Sequence, residues 1–105
     1  MKYKLLGRSG LRVSELCLGC GTFGTNWGTL GSDKAESQRI LDCFAEAGGN
    51  FIDTSNRYQE SQSEEFLGDF LQANRDYFVV GTKVFNFFDG GANFLDPNAS
   101  GNHRK

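Results

Sequence analysis

The chain has 105 residues, one domain's worth or less, and its 38 % hydrophobic and 23 % charged content suits a soluble globular protein and argues against a disordered one. A net charge of -2 with acidic and basic residues interspersed leaves no basic footprint for nucleic acid and no polybasic patch for a membrane. No apolar run approaches the ~20 residues that span a bilayer, and the opening segment meets Gly7 too soon to hold a signal peptide's apolar core, so the cytosol is the expected compartment.

Residues 2–6 and 11–14 alternate imperfectly around Gly7-Arg8-Ser9-Gly10, which predicts a β-hairpin. Glu15-Leu16-Cys17-Leu18-Gly19-Cys20 is a short apolar run suited to a buried strand over 15–20, followed by a glycine-punctuated loop to Ser32. Asp33 and Glu36 have capping-box spacing and open a helix over 34–47, with Ile40, Leu41, Phe44 and Ala45 on one face. Gly48-Gly49 supplies the left-handed residue that ends it.

A second strand over 50–54 runs into a polar loop, Ser55 to Gln62. Ser61 and Glu64 have the spacing of another capping box, and Phe66, Leu67, Phe70 and Leu71 line one face of a helix over 62–73. Tyr77 to Val84 holds the third strand, over 78–84. The remaining segment is rich in Gly, Asn and Asp and carries Phe85, Phe87, Phe88 and Phe94. It is either a functional loop or a broken end. Strands alternating with amphipathic helices imply an α/β fold, parallel pairing through right-handed crossovers, and both helices on one side of the sheet.

Three cysteines, Cys17, Cys20 and Cys43, are an odd count and no disulfide framework. Cys17 and Cys20 match C-x-x-C, but positions three apart on a strand point to opposite faces. No second ligand pair stands near them, and the thiols are expected to be buried.

Ligands of parallel α/β folds bind beyond the C-terminal ends of the strands. Asp53 closes the second strand, Tyr58 lies in the loop after it, and Lys83 closes the third. A carboxylate, a phenol and an amine can form one network in which the lysine eases proton release from the phenol and the aspartate orients the ammonium. Such a tyrosine can protonate a carbonyl oxygen as hydride reaches its carbon. Each residue also has a plain structural reading: Asp53 as a turn cap, Tyr58 as a rim aromatic, Lys83 as a solvated strand end.

Several ordered motifs resemble the aldo-keto reductases. Lys4-Leu5-Leu6-Gly7-Arg8-Ser9-Gly10-Leu11-Arg12-Val13-Ser14 is similar to the hairpin that plugs the bottom of that family's barrel. Leu18-Gly19-Cys20-Gly21-Thr22-Phe23-Gly24 resembles its first-strand motif, and Ala47 through Tyr58 its signature, with aspartate and tyrosine five apart. Thr82-Lys83 matches the segment carrying its lysine, and Asp96 through Lys105 resembles the lead into its third barrel helix.

The resemblance implies the N-terminal part of a (β/α)8 barrel: a hairpin, about three parallel strands and two helices, with the barrel not closed. Residues 1–105 would be one partial domain of a NADPH-dependent reductase of aldehydes and ketones. It implies Tyr58 as general acid, Asp53 and Lys83 as its tuning partners, and Gly19, Cys20, Gly21 and Asp53 beside the cofactor. The family usually has threonine where Cys20 stands and often a larger residue at Gly21, changes expected to alter cofactor contact without abolishing it. Its additional histidine closes a fourth strand; His103 falls in the preceding loop and is read as solvated, not catalytic. Its main NADPH anchors lie on later strands.

Three strands leave two edges and a bare inner face, which favours self-association. The expected reading is a truncated reductase, inactive alone. The alternatives are a non-catalytic interaction module pairing through its sheet edges, and an enzyme assembled from several copies.

Overall fold

The computed structural model describes residues 1–83. The expected strand residue Val84, the phenylalanine-rich segment, His103 and the stretch from Asp96 to Lys105 lie outside the described residues.

Strands β1 (Tyr3–Leu5) and β2 (Arg12–Ser14) form the expected antiparallel hairpin, with Tyr3 opposite Ser14 and Leu5 opposite Arg12. Gly7 and Gly10 turn it with φ of 57° and 76°, values that favour glycine. The hairpin is tied to the start of the second parallel strand. Asn50 accepts from Ser14 N at 2.7 Å and donates to Arg12 O at 3.2 Å, while Ser14 Oγ accepts from Asn50 N and Phe51 N. Tyr3 reaches Gly48 O at 2.6 Å. These bonds hold the hairpin at the end of the sheet away from Asp53.

Strands β3 (Cys17–Gly19), β4 (Phe51–Asp53) and β5 (Val79–Gly81) make one parallel sheet in the order β3-β4-β5. Each is shorter than its apolar run. Pairing nevertheless continues past the last strand residue, through Cys20 N to Asp53 O and Thr54 N to Gly81 O, both 2.9 Å. Leu18, Ile52 and Val80 stand in one row across the sheet, on the face covered by α1 (Lys34–Glu46) and α2 (Gln62–Phe70).

The core lies in that layer. Leu41 from α1 and Leu67 from α2, with Leu71 just beyond, join Ile52, Cys20, Phe23 and Phe78. Both expected helical faces pack here, with Ile40, Phe44, Ala45, Phe66 and Phe70 at its margin. Lys34 and Asp69 pair at 2.5 Å between the helices. The opposite face carries Cys17, Phe51 and Val79 in one row and Gly19, Asp53 and Gly81 in the next. No element among the described residues covers it as the helices cover the first, and Cys17 and Gly19 are exposed.

The helix ends depart from expectation in informative ways. Asp33 caps α1 by accepting from Glu36 N at 2.8 Å, but the Glu36 carboxylate pairs with Arg39, so half of the capping box forms. Gly48 at φ 86° ends α1 in a Schellman arrangement, Gly48 N bonding Ala45 O and Gly49 N bonding Phe44 O. The Ser61–Glu64 box does not form. Ser61 has φ 77° and its hydroxyl donates to Asn56 O, because the loop before α2 runs through a left-handed turn at Gln59, Glu60 and Ser61. Helix α2 ends at Phe70 rather than 73. Its bonding then passes into tighter turns, Asn74 N to Leu71 O and Tyr77 N to Asn74 O, which reverse the chain into β5. Among the described residues, no helix is long and apolar enough to cross a membrane.

Candidate active site

At the C-terminal edge of the sheet Asp53 stands between two glycines, Gly19 on β3 and Gly81 on β5. With no side chain on either side in that row, its carboxylate stands on the uncovered face without a neighbour in the sheet. Lys83, two residues past β5, returns over it. Its Nζ donates to Asp53 Oδ2 at 2.6 Å and to Thr54 O at 3.0 Å. The loop after β4 brings back Tyr58, whose hydroxyl is 3.5 Å from the same Oδ2, and Lys83 Nζ lies 4.6 Å from the Tyr58 ring centroid. The three groups named from sequence thus converge on one carboxylate oxygen. The Tyr58 contact is long, at the limit of hydrogen-bond distance.

Lys83 stays an ammonium. Its pKa is raised above the ordinary lysine value, first by the hydrogen bond to Asp53 and next by its contact with Tyr58. The Asp53–Lys83 pair is open to solvent, each side chain 42 % exposed, so water screens it and it adds little stability. The arrangement can hold a positive charge beside a phenol.

The site's floor is backbone. A Cβ on Gly19 would meet nothing within 4 Å, whereas one on Gly21 would touch the Tyr58 ring at 3.9 Å. Cys20 is fully buried, its thiol turned into the helix-covered core and reaching Leu18 O. Its side chain therefore does not face the uncovered side of the sheet, and at Cys20 it is the backbone that lies near Asp53. Strand alternation is the reason, since Cys17 and Gly19 face one way and Leu18 and Cys20 the other. Burial pushes the Cys20 thiol up to about 12, with Cys17 and Asp53 adding to the shift. Cys17 and Cys43 are exposed, so the expectation of buried thiols holds for Cys20 alone.

Sequence patterns did not expose what builds the loop beside the site. Gln59, fully buried, donates from Nε2 to Leu30 O at 2.6 Å and Gly21 O at 3.3 Å, and accepts from Trp27 N at 2.8 Å. Trp27 meets the Tyr58 ring edge-on, centroids 6.4 Å apart at 80°. Ser63 donates to Cys20 O at 2.8 Å and bonds Thr54 Oγ1 at 2.9 Å, locking the start of α2 to the ends of β3 and β4. A glutamine and a serine in a polar loop carry no periodic signal. The one hint was their place beside Tyr58.

The family model of the aldo/keto reductases matches residues 15–105. The chain is 47 % identical over 90 residues to an aryl-alcohol dehydrogenase [NADP(+)] of Phanerodontia chrysosporium, covering 81 % of this chain and 23 % of that protein. It is 42 % identical over 106 residues to a norsolorinic acid reductase of Aspergillus flavus, covering 96 % of this chain and 27 % of the relative. The holo form of an aldo-keto reductase from Bacillus halodurans superposes with a TM-score of 0.75 at 38 % identity, over 89 % of this chain and 29 % of that one. The open sheet with its two helices is the N-terminal part of a (β/α)8 barrel. The chain belongs to the aldo/keto reductase family, a family of oxidoreductases acting on carbonyl compounds. It spans about a quarter of the length of these relatives.

Proposed function

We propose that this chain supplies the proton-donating part of a NADPH-dependent aldo-keto reductase that converts aldehydes or ketones to alcohols. The supporting observation is the approach of both Lys83 Nζ and the Tyr58 hydroxyl to Asp53 Oδ2, at 2.6 and 3.5 Å. In this reading residues 1–105 are one partial barrel domain, working in the cytosol on a small carbonyl substrate.

Tyr58 gives its proton to the carbonyl oxygen. Lys83 stabilises the phenolate left behind, and Asp53 fixes the ammonium over the ring. The floor of Gly19 and Gly21, with the Cys20 backbone between them and Asp53 at its edge, fits a flat ring: a side chain at Gly19 would occupy that space, and Gly21 already abuts Tyr58. NADPH, when bound there, supplies the hydride. A relative whose name carries NADP(+) supports that choice of cofactor.

The 105 residues alone are expected to be inactive. Positioning two reactants supplies ~7–11 kcal/mol of barrier reduction, and the described residues offer only one wall of a pocket. Water reaching the uncovered face also weakens the coupling of Lys83 to Tyr58. Among the described residues that face is uncovered and β3 and β5 lack an outer strand neighbour, which favours self-association.

The test joins residues 1–105 to the remaining three quarters of the Phanerodontia relative and follows NADPH oxidation over an aldehyde panel. Turnover is expected, falling about 10²–10⁴-fold in Tyr58→Phe. A folded chimera with no turnover, or turnover indifferent to Tyr58, would overturn the reading. Saturable turnover by the 105-residue chain itself would overturn its inactivity.

A further inference from the structure

We propose that Gln59 is a positioning residue that makes the loop after β3 and the Tyr58 turn one rigid unit, setting Trp27 as a fixed wall against the Tyr58 ring. The inference rests on the reading of Tyr58 as proton donor and adds how its surroundings are held.

Three observations carry it. First, Gln59 is an uncharged polar side chain with no exposed surface, and its amide is spent on the loop: Leu30 O at 2.6 Å, Gly21 O at 3.3 Å and Trp27 N at 2.8 Å. These partners span the loop from its first residue past Trp27, so a single side chain bridges a segment otherwise tied to itself chiefly at Phe23 and Ser32. Its backbone carbonyl adds a fourth tie, accepting from Asn26 Nδ2 at 2.9 Å.

Second, the backbone is bent to place it. Gln59, Glu60 and Ser61 take φ of 52°, 56° and 77° in succession, a left-handed run without a glycine, which persists only where surroundings over-determine it. Third, the loop comes too close for any side chain but hydrogen. A Cβ on Gly24 would sit 2.5 Å from Gln59 Cβ and 2.6 Å from Gln62 Oε1, and Gln62 Oε1 accepts from Thr25 N at 2.6 Å. Gln59 therefore links three things the reaction needs in register: Gly21 under the Tyr58 ring, Trp27 at its edge, and the Tyr58 backbone next to it in sequence.

A residue that merely filled space would be replaceable by an apolar side chain of similar size; one that positions the loop through its amide would not. Trp27 is the only tryptophan, so its fluorescence reads the loop directly. Trp27 is 42 % exposed, so its mobility is the readout: in Gln59→Leu its fluorescence anisotropy is expected to fall clearly while far-UV circular dichroism stays that of the parent. Gln62→Leu, which removes only the Thr25 bond, should lower anisotropy less. Anisotropy in Gln59→Leu equal to the parent's would overturn the proposal.

A second measurement needs no variant. In the parent chain the Trp27 amide, bonded to the Gln59 side chain, should exchange roughly tenfold or more slower than in a random coil. Exchange at the random-coil rate would overturn the proposal. Neither readout involves turnover, so failure of the catalytic reading of Tyr58 would leave these results standing, and the reverse.

Discussion

The two faces of the three-stranded sheet differ in what their side chains do. On the helix-covered face, the Leu18–Ile52–Val80 row meets apolar side chains of α1 and α2, and Ile52 has no exposed surface. On the other face, Cys17–Phe51–Val79 and Gly19–Asp53–Gly81 are exposed or half-buried. The groups capable of chemistry stand on the second face at its C-terminal edge. Burial of apolar surface stabilises the first face, while the second carries a charged pair flanked by two glycines. The packed core and the charged cluster are thus separated by the alternation of a strand, one residue apart in sequence.

Ile52 and Phe51 give the largest contrast. Ile52→Ala should cost about 2–5 kcal/mol, since it opens a cavity beneath two helices. Phe51→Ala, on the uncovered face, should cost about 1 kcal/mol despite removing more atoms. Urea titration with unchanged slope would report both, and equal losses would mean the two faces are equally packed.

Glycines sharpen the same comparison. A Cβ at Gly49 would overlap the Phe44 ring, so Gly49→Ala is expected to lose about 1–3 kcal/mol. Gly19→Ala meets nothing within 4 Å and should change stability by under about 0.5 kcal/mol. In the chimera, however, Gly19→Ala should raise the KM for NADPH; an unchanged KM would remove Gly19 from the cofactor floor.

The ion pair on the uncovered face predicts a small, signed pH effect. Because the folded-state pKa of Lys83 is raised, its contribution is fully present below the ordinary lysine value and fades as pH climbs through the higher folded value. The difference in urea midpoint between the parent and Lys83→Met should be slight at neutral pH and vanish in strong alkali. A difference that grew with alkali would reverse the sign.

The smallest effect is a labelling rate. Cys17 and Cys43 should react with a thiol reagent in the native chain, and Cys20 only on unfolding, because it lies in the core with a thiol pKa pushed up to about 12. Fast labelling of all three would place Cys20 on the uncovered face.

Much of this was legible in the chain itself. The hairpin glycines, the Asp33 cap, the Gly48 stop, both helical faces and the three parallel strands follow from local periodicity and capping, which depend on neighbours within about one helical turn. The meeting of Asp53, Tyr58 and Lys83 was legible because the end of one parallel strand, the loop after it and the residues just past the next strand share an edge.

Other features depended on contacts between distant segments. The Ser61 capping box had correct spacing but lost to the left-handed turn that carries Gln59 into the loop. The motif around Cys20 could not say which way its thiol points, and strand alternation turned it into the core. Gln59 and Ser63 have no pattern of their own, since each is defined by backbone carbonyls 29 to 43 residues away that the fold alone brings near. Local sequence determined which elements form and which groups end them. Tertiary structure decided which face each side chain serves and which polar groups hold the loops, because a buried polar atom must find its partners wherever the chain happens to pass.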